Sequence, residues 1–338
     1  MKIDIHTHIL PAKMPNWVEK FGYGEFIHLE HQNCSACMMI GDRVFREVEK
    51  NCFDAGMRIQ EMNETDVTVQ VLSTIPVLFN YWAKAKDAYD TSRFFNDHIA
   101  ETVTNNPAKF IGLGTVPLQD TDLAIKEMER CVQELKMPGL EIGSNVNGKN
   151  LSDPSLFPFY EAVEKSGCAL FIHPWQMMGE HQMQEYWLPW LVGMPAETSR
   201  AICSIIFGGV LEKFPNLRIA FAHGGGSFPL TIGRIEHGYH VRPDLVAVHN
   251  DVNPKNYIGK FWIDSLVHDP KAMHFILDIM GEDHICLGSD YPFPLGEDVP
   301  GNLIESIDLS KFAKDQLERD LMQQKMLGLN AKKFFGIN

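Results

Sequence analysis

The chain opens on MKIDIHTHIL, an apolar run that carries His6 and His8 two residues apart. On a strand, residues i and i+2 point to the same side, so both imidazoles can enter one interior and hold one ion. Two histidines in such a run are costly to bury without partners. Three more groups end apolar runs: His173 in LFIHPW, His223 in AFAHGGG and Asp290 in LGSDYP. Taken singly, each reads as a structural histidine or a turn cap. Taken together, four histidines and one carboxylate at strand ends describe a catalytic site for zinc or a related divalent ion, with N and O ligands and an open position. Zinc is the default because imidazole ligands suit it.

Other titratable groups have plainer readings. Glu141 ends a further run and could reach a second metal, but no other residue supports a binuclear site, so a structural role is expected. Asp264 is either a support for a ligand or a core hydrogen-bonder. Cys34-x-x-Cys37 has redox or zinc spacing, yet it lacks a matching pair and a thioredoxin-like context. Gly224–Gly226 allows close backbone approach but lacks the Lys-Ser/Thr signature of a phosphate loop.

These residues need elements that bring them together. Eight short apolar, β-prone runs cover 2–8, 67–73, 110–116, 139–144, 168–173, 217–223, 260–266 and 284–289. Near-continuous apolar runs fit buried parallel strands. Between most of them lie segments with apolar residues at i, i+3, i+4 spacing. Examples are DTDLAIKEMERCVQELK (120–136), with Asp120 as a cap, and ETSRAICSIIFGGVLEKF (197–214), with Thr198 or Ser199 near its cap. Eight alternations predict an α/β fold, a parallel (β/α)8 TIM barrel, over an open doubly wound sheet. The whole chain, 1–338, reads as one domain with insertions at about 11–50 and 174–196. The first insertion predicts a hairpin at Gly41-Asp42. The second is rich in Trp and Met, and serves as pocket wall or lid or as a dimer interface. Both follow a strand's C-terminal end, the face where barrel enzymes keep their sites. Residues 293–312 read as irregular and 313–335 as a closing helix.

Composition narrows the function classes. Of 338 residues, 45% are hydrophobic, enough for a sizeable core. The net charge of −14 argues against nucleic acid or an anionic membrane as partner. An anionic substrate stays open, because a few arginines in a cleft outweigh the average locally. The N-terminal run reads as a barrel strand and not a signal peptide, and no apolar window reaches transmembrane length. Seven scattered cysteines suit a reducing cytoplasm better than a disulfide framework.

H-x-H on the first strand, His after the fifth, His after the sixth and Asp after the eighth resemble the amidohydrolase superfamily. The phrases LFIHPW, YWLPWLVGMPAET, FAHGGGSFPLTIGRI and LGSDYPFPLGE narrow the resemblance, as do NCFDAGMRIQEM and the ending NAKKFFG. They are similar to the α-amino-β-carboxymuconate-ε-semialdehyde decarboxylase family, nearly end to end. The resemblance implies one zinc ion per subunit on His6, His8, His173 and Asp290, with a water completing the sphere and His223 beside it as the catalytic residue. Arg46, in VFREV, matches a residue for a substrate carboxylate. Arg234, in TIGRIEHG, matches an arginine donated to the neighbouring subunit's site, which implies a homodimer. Trp190 and Phe293 match positions lining the pocket. The stretch around Cys34 and Cys37 departs from the family pattern.

The implied reaction is oxygen-independent decarboxylation of a small dicarboxylate, giving aminomuconate semialdehyde, in tryptophan/kynurenine or related aromatic catabolism. Two carboxylates suit two guanidinium forks. Two proton routes fit: His223 takes a proton from the water, the resulting hydroxide adds to the conjugated system and His223 returns the proton to carbon, or protonation comes first and no hydroxide adduct forms. The rival readings are decarboxylation of a hydroxybenzoate-type acid, hydrolysis or hydration on the same barrel, and a non-enzymatic metal-stabilised binder. Fold alone does not separate them.

Overall fold

The computed structural model describes residues 1–32 and 35–337. Cys34 therefore lies outside the described residues, and Cys37 is a buried free thiol. The predicted runs form one eight-stranded sheet in sequential order: β1 Lys2–His8, β2 Val67–Ser73, β3 Phe110–Gly114, β4 Gly139–Gly143, β5 Ala169–His173, β6 Arg218–Phe221, β7 Trp262–Asp264 and β8 Ile285–Cys286. Every neighbouring pair is parallel. The residues after β8 close the ring on β1. Ile5 N donates to Leu287 O (2.9 Å), Asp290 N to His6 O (2.9 Å) and His8 N to Tyr291 O (2.8 Å).

Period-2 alternation explains why the runs look apolar throughout. On β5, Leu170 and Ile172 face the outer core shared with the helices. Ala169 and Phe171 face a second cluster with Ile3, Ile5, Val71, Leu113, Ala220, Trp262 and Cys286. Seven of the eight strands contribute to this second cluster, so it fills the barrel's interior, and Ala331, Phe334 and Phe335 close it from the C-terminal helix. The predicted closing helix runs Gln316–Gln324 and Asn330–Phe335, joined through a π-helical turn at Lys325–Leu329. That turn gives the Met326 carbonyl to Leu287 N.

The helix predicted from residue 197 begins earlier. It spans Met194–Phe207 and breaks at Gly208–Gly209 before Val210–Lys213. Thr198 and Ser199 are consequently interior residues, each bonding back to a carbonyl four residues earlier, and not caps. Asp120 is a cap, accepting from Leu123 N at 3.0 Å.

The first insertion folds as an antiparallel three-stranded sheet, Ile27–His31, Ser35–Ile40 and Arg43–Glu49. Its hairpin turns at Gly41, where φ is +56°. The second insertion is irregular up to a π-helical turn at Pro189–Gly193, and Gln176, Tyr186 and Trp187 all have positive φ. No helix among the described residues is long and apolar enough to cross a membrane.

Candidate metal centre

β1 slips in register against β2 between Asp4 and Thr7. Below the slip, Ile3 and Ile5 join the interior cluster. Above it, His6 and His8 turn their rings toward each other, with centroids 5.1 Å apart. His173 ends β5 with its ring 5.1 Å from His6 and 5.2 Å from His8. Asp290 follows β8 with φ +58°, a conformation that non-glycine residues hold at a cost and that gathers at functional sites. One ligand atom from each of His6, His8, His173 and Asp290 lies within 4.8 Å of the other three.

The other nitrogens decide which atoms are free. Nδ1 of His6 meets Asp264 Oδ2 at 2.7 Å, Nδ1 of His8 meets Thr74 O at 2.9 Å, and Nδ1 of His173 meets Pro174 O at 2.9 Å. A carboxylate and two carbonyls only accept, so each Nδ1 carries the proton and each Nε2 keeps a lone pair. All three Nε2 atoms and Asp290 Oδ1 are buried without a hydrogen-bond partner. Four convergent orphaned lone pairs are the arrangement a divalent ion satisfies, and anchored Nδ1–H groups are how proteins orient such ligands.

The charge states of His173, His8 and Asp290 agree, whereas for His6 burial acts downward but is outweighed by Asp264 and Asp290, which raise it above the usual histidine value. Burial, reinforced by the other imidazoles, holds His173 well below the usual histidine value. Burial also lowers His8, against the opposing pull of the Asp290 carboxylate. For Asp290, burial acts upward but is outweighed by His223, His8 and His6, leaving its carboxyl well below the usual range. Neutral imidazole and ionised carboxylate are the ligating forms.

Asp264, on β7, settles between its two predicted readings by doing both. It is fully buried, and its Oδ2 accepts from His6 Nδ1 and from His223 N (2.9 Å). Its Oδ1 accepts from Gly224 N (2.7 Å) and Leu266 N (3.1 Å). One carboxylate thus fixes the His6 ring and the loop bearing His223. The glycines after His223 are needed for close packing: a Cβ on Gly224 would meet Val267 Cγ1 at 2.3 Å, and one on Gly226 would meet Pro195 O at 2.2 Å. His223, at φ +58°, places Nε2 3.9 Å from Asp290 Oδ2 and leaves a buried Nδ1 unbonded. It stands beside the four-atom cluster and outside it. Glu141 sits 3.7 Å from Nδ1 of His8, on the ring edge away from the cluster. Burial, opposed by Ser73, holds its carboxyl well above the usual range, which favours a neutral acid behind His8.

A cleft with about 460 Å³ of empty space lies over this centre. His8, His173 and Asp290 form its floor, and Arg46, Trp175, Trp187, Trp190, Met194 and Phe293 are among its walls. The Arg46 guanidinium lies 4.5 Å from the Phe293 ring centre, 5.6 Å from Trp190 and 5.9 Å from Phe45. Among the described residues it has no ion-pair partner within 4.0 Å, and burial pulls it below its ordinary value. Its strand is bulged: Met38 pairs with Arg46 while Met39 pairs with Val44. The extra residue lets consecutive side chains, Phe45 and Arg46, both line the cleft, which a regular strand forbids. Phe45 was not legible in the sequence for that reason. A second cleft shares Trp190, Met194, Asp290 and Leu295 and adds His223 to its wall.

The structure therefore brings together His6, His8, His173, Asp290, His223, Arg46, Trp190 and Phe293. It does not bring in Arg234, which is exposed on the helix Phe228–Val241 and lines neither cleft of its own chain.

Comparison with known proteins adds an independent line. The amidohydrolase family model matches residues 3–337. A 2-amino-3-carboxymuconate-6-semialdehyde decarboxylase of Dictyostelium discoideum is 58% identical, over 100% of this chain and 92% of its own length. A protein of the same description from Caenorhabditis elegans is 40% identical, over 90% of this chain and 88% of its own. Among solved structures, 5-carboxyvanillate decarboxylase from Sphingomonas paucimobilis superposes with a TM-score of 0.81 at 24% identity, covering 100% of this chain and 99% of that one.

Proposed function

The chain belongs to the amidohydrolase family, and we propose on that footing that it is a zinc-dependent carboxy-lyase. Its substrate is α-amino-β-carboxymuconate-ε-semialdehyde, which it decarboxylates without oxygen to aminomuconate semialdehyde, in tryptophan/kynurenine or related aromatic catabolism in the cytoplasm. The observation that carries this reading is one shared cleft: three of the four orphaned ligand atoms, those of His8, His173 and Asp290, on its floor, and on its wall a ring-caged guanidinium with no ion-pair partner among the described residues. The likeness to decarboxylases of that description supports the substrate.

His6, His8, His173 and Asp290 would hold the ion, which would supply Lewis-acid polarisation and a sink for negative charge. Arg46 binds a substrate carboxylate through its planar fork, and Phe45, Trp190 and Phe293 hold that fork in place and exclude water. As the carbon–carboxylate bond breaks, CO2 leaves and the electron pair stays on carbon. His223, on the wall of the adjoining cleft that shares Trp190, Met194 and Asp290, delivers the proton that replaces the carboxylate. Arg234 serves the neighbouring subunit of a homodimer and binds the second carboxylate there.

A second reading, a hydroxybenzoate-type monocarboxylic acid, is favoured by the single arginine in the chain's own cleft. One assay separates the two. Purified protein is mixed with freshly generated α-amino-β-carboxymuconate-ε-semialdehyde, and CO2 release is followed before chelation, after it, and after zinc return. Release that vanishes and returns is the expected result. No release from a zinc-loaded, folded protein would discard this substrate and send the search to hydroxybenzoates.

A further inference from the structure

The helix Ala55–Glu64 carries a buried cation that the reaction does not use. Arg58 is fully buried, and among the described residues no carboxylate pairs with it. Its Nε donates to Gln70 Oε1 (3.1 Å), one terminal nitrogen to His8 O (2.6 Å) and Asn51 O (3.3 Å), and the other to Thr7 Oγ1 (3.2 Å). The guanidinium carbon lies 4.7 Å from the centre of the Tyr291 ring. Burying a charge against neutral acceptors alone is expensive, so the groups it grips indicate its use.

Those groups lie on both sides of the barrel's closing seam. Thr7 and His8 end β1. Tyr291 follows Asp290, and its carbonyl accepts His8 N. The Tyr291 hydroxyl bonds Glu61, one turn along the same helix from Arg58. The seam needs such a brace. β8 is a ladder of only two residues, and beyond it the pairing with β1 is a single isolated bridge, Thr7 to Tyr291. His8 and Asp290, whose Nε2 and Oδ1 lie 3.1 Å apart, sit on opposite sides of this short pairing.

We propose that Arg58 is a positioning residue for the metal centre: by tying His8 and Thr7 to Tyr291 it sets the spacing between His8 and Asp290. This rests on the reading that those atoms hold a divalent ion. Loss of Arg58 then weakens metal binding and not merely folding.

The test uses the full-length protein and its Arg58→Lys, Arg58→Met and Gln70→Leu variants. Zinc stoichiometry and affinity are read by competition with a chromophoric chelator, the site geometry by the visible spectrum of bound Co2+, and stability by thermal unfolding of the metal-free protein. Expected results are one ion per wild-type chain, about tenfold weaker binding in Arg58→Lys, and up to about 100-fold weaker in Arg58→Met, with altered Co2+ spectra. Gln70→Leu, which removes the Arg58 bond directed away from the seam, unfolds at lower temperature yet binds zinc as wild type does. Wild-type affinity in both Arg58 variants overturns the proposal, regardless of their melting temperatures. Absence of an ion in the wild type overturns the metal reading instead. If Arg58→Met does not fold, Glu61→Ala takes its place. It keeps Arg58 and frees the Tyr291 hydroxyl, and wild-type affinity in it and in Arg58→Lys overturns the proposal.

Discussion

Nε2 of His8 faces Oδ1 of Asp290 at 3.1 Å while Nδ1 of His8 is bound to the Thr74 carbonyl at 2.9 Å. With its proton on Nδ1, the ring turns a lone pair toward a carboxylate, and only a cation between them makes that contact favourable. The first prediction follows. Chelation lowers the melting temperature and zinc restores it. At an ion concentration about 1,000 times Kd the stabilisation is about 4 kcal/mol, or roughly 6 °C for a chain of this length. A scanning calorimeter reads this directly. An unchanged melting temperature would mean that a proton, and not a metal, bridges the pair.

His223 stands beside the cluster, with its Nε2 3.9 Å from Asp290 Oδ2 and no bond at its buried Nδ1. His223→Ala is expected to keep one zinc per chain by elemental analysis while kcat falls by about 10²–10⁴. Near wild-type turnover would remove His223 from the mechanism.

Arg46 and Arg234 are separable by mixing. Arg46→Met loses a charged hydrogen bond to substrate of about 1.5–3 kcal/mol, a drop in kcat/KM of roughly 10–100-fold, within every dimer. Arg234 stands outside its own cleft, and under the proposed homodimer its contribution is made in trans. His223→Ala and Arg234→Ala chains are each weak alone, and unfolding and refolding them together restores one complete site per hybrid dimer. Steady-state rates of the mixture, compared with those of the separate variants, decide it. No recovery on mixing would refute donation across the interface.

Asp54 caps the helix that carries Arg58 and Glu61, accepting from Met57 N at 3.0 Å. That backbone bond, with Lys50 nearby, holds its carboxyl below the usual aspartate value. A depressed folded pKa means stability that is present above the unfolded value of about 3.9 and lost as pH falls through the folded one. Asp54→Ala should therefore cost about 1 kcal/mol at neutral pH, and the gap from wild type should close in acid. Urea unfolding of both proteins from neutral pH downward measures the gap. A difference that stays constant through the acid range would dissociate the cap from the carboxylate's charge.

Much of this centre can be read along the chain. His6 and His8 share a face because strand side chains alternate, and His173, His223 and Asp290 each stand at the end of a run that buries as a strand. The eight runs found their elements, six of them shortened, the last two most, to Trp262–Asp264 and Ile285–Cys286. The residues beyond those two ladders turn away to build the site, which an apolar run alone does not reveal. The helical period is legible from residue 197, while the helix itself starts at Met194, directly after the π-helical turn Pro189–Gly193.

Other parts had no signal in sequence. Arg58 looks like any polar residue on an amphipathic helix, and its neighbours Gln70, Thr7, His8 and Tyr291 are up to 233 positions away in number but adjacent at the seam. Phe45 reaches the cleft because a bulge breaks the alternation that would send it the other way. Arg234 was recognisable only by resemblance, and the fold of a single chain leaves it at the surface. The sequence by itself determined which residues could ligate and which strands would carry them, because periodicity and side-chain chemistry are local properties. Tertiary structure alone decided which nitrogen of each histidine is free, which charge braces the seam and which side chains wall the cleft, because those depend on partners that meet only when the barrel closes.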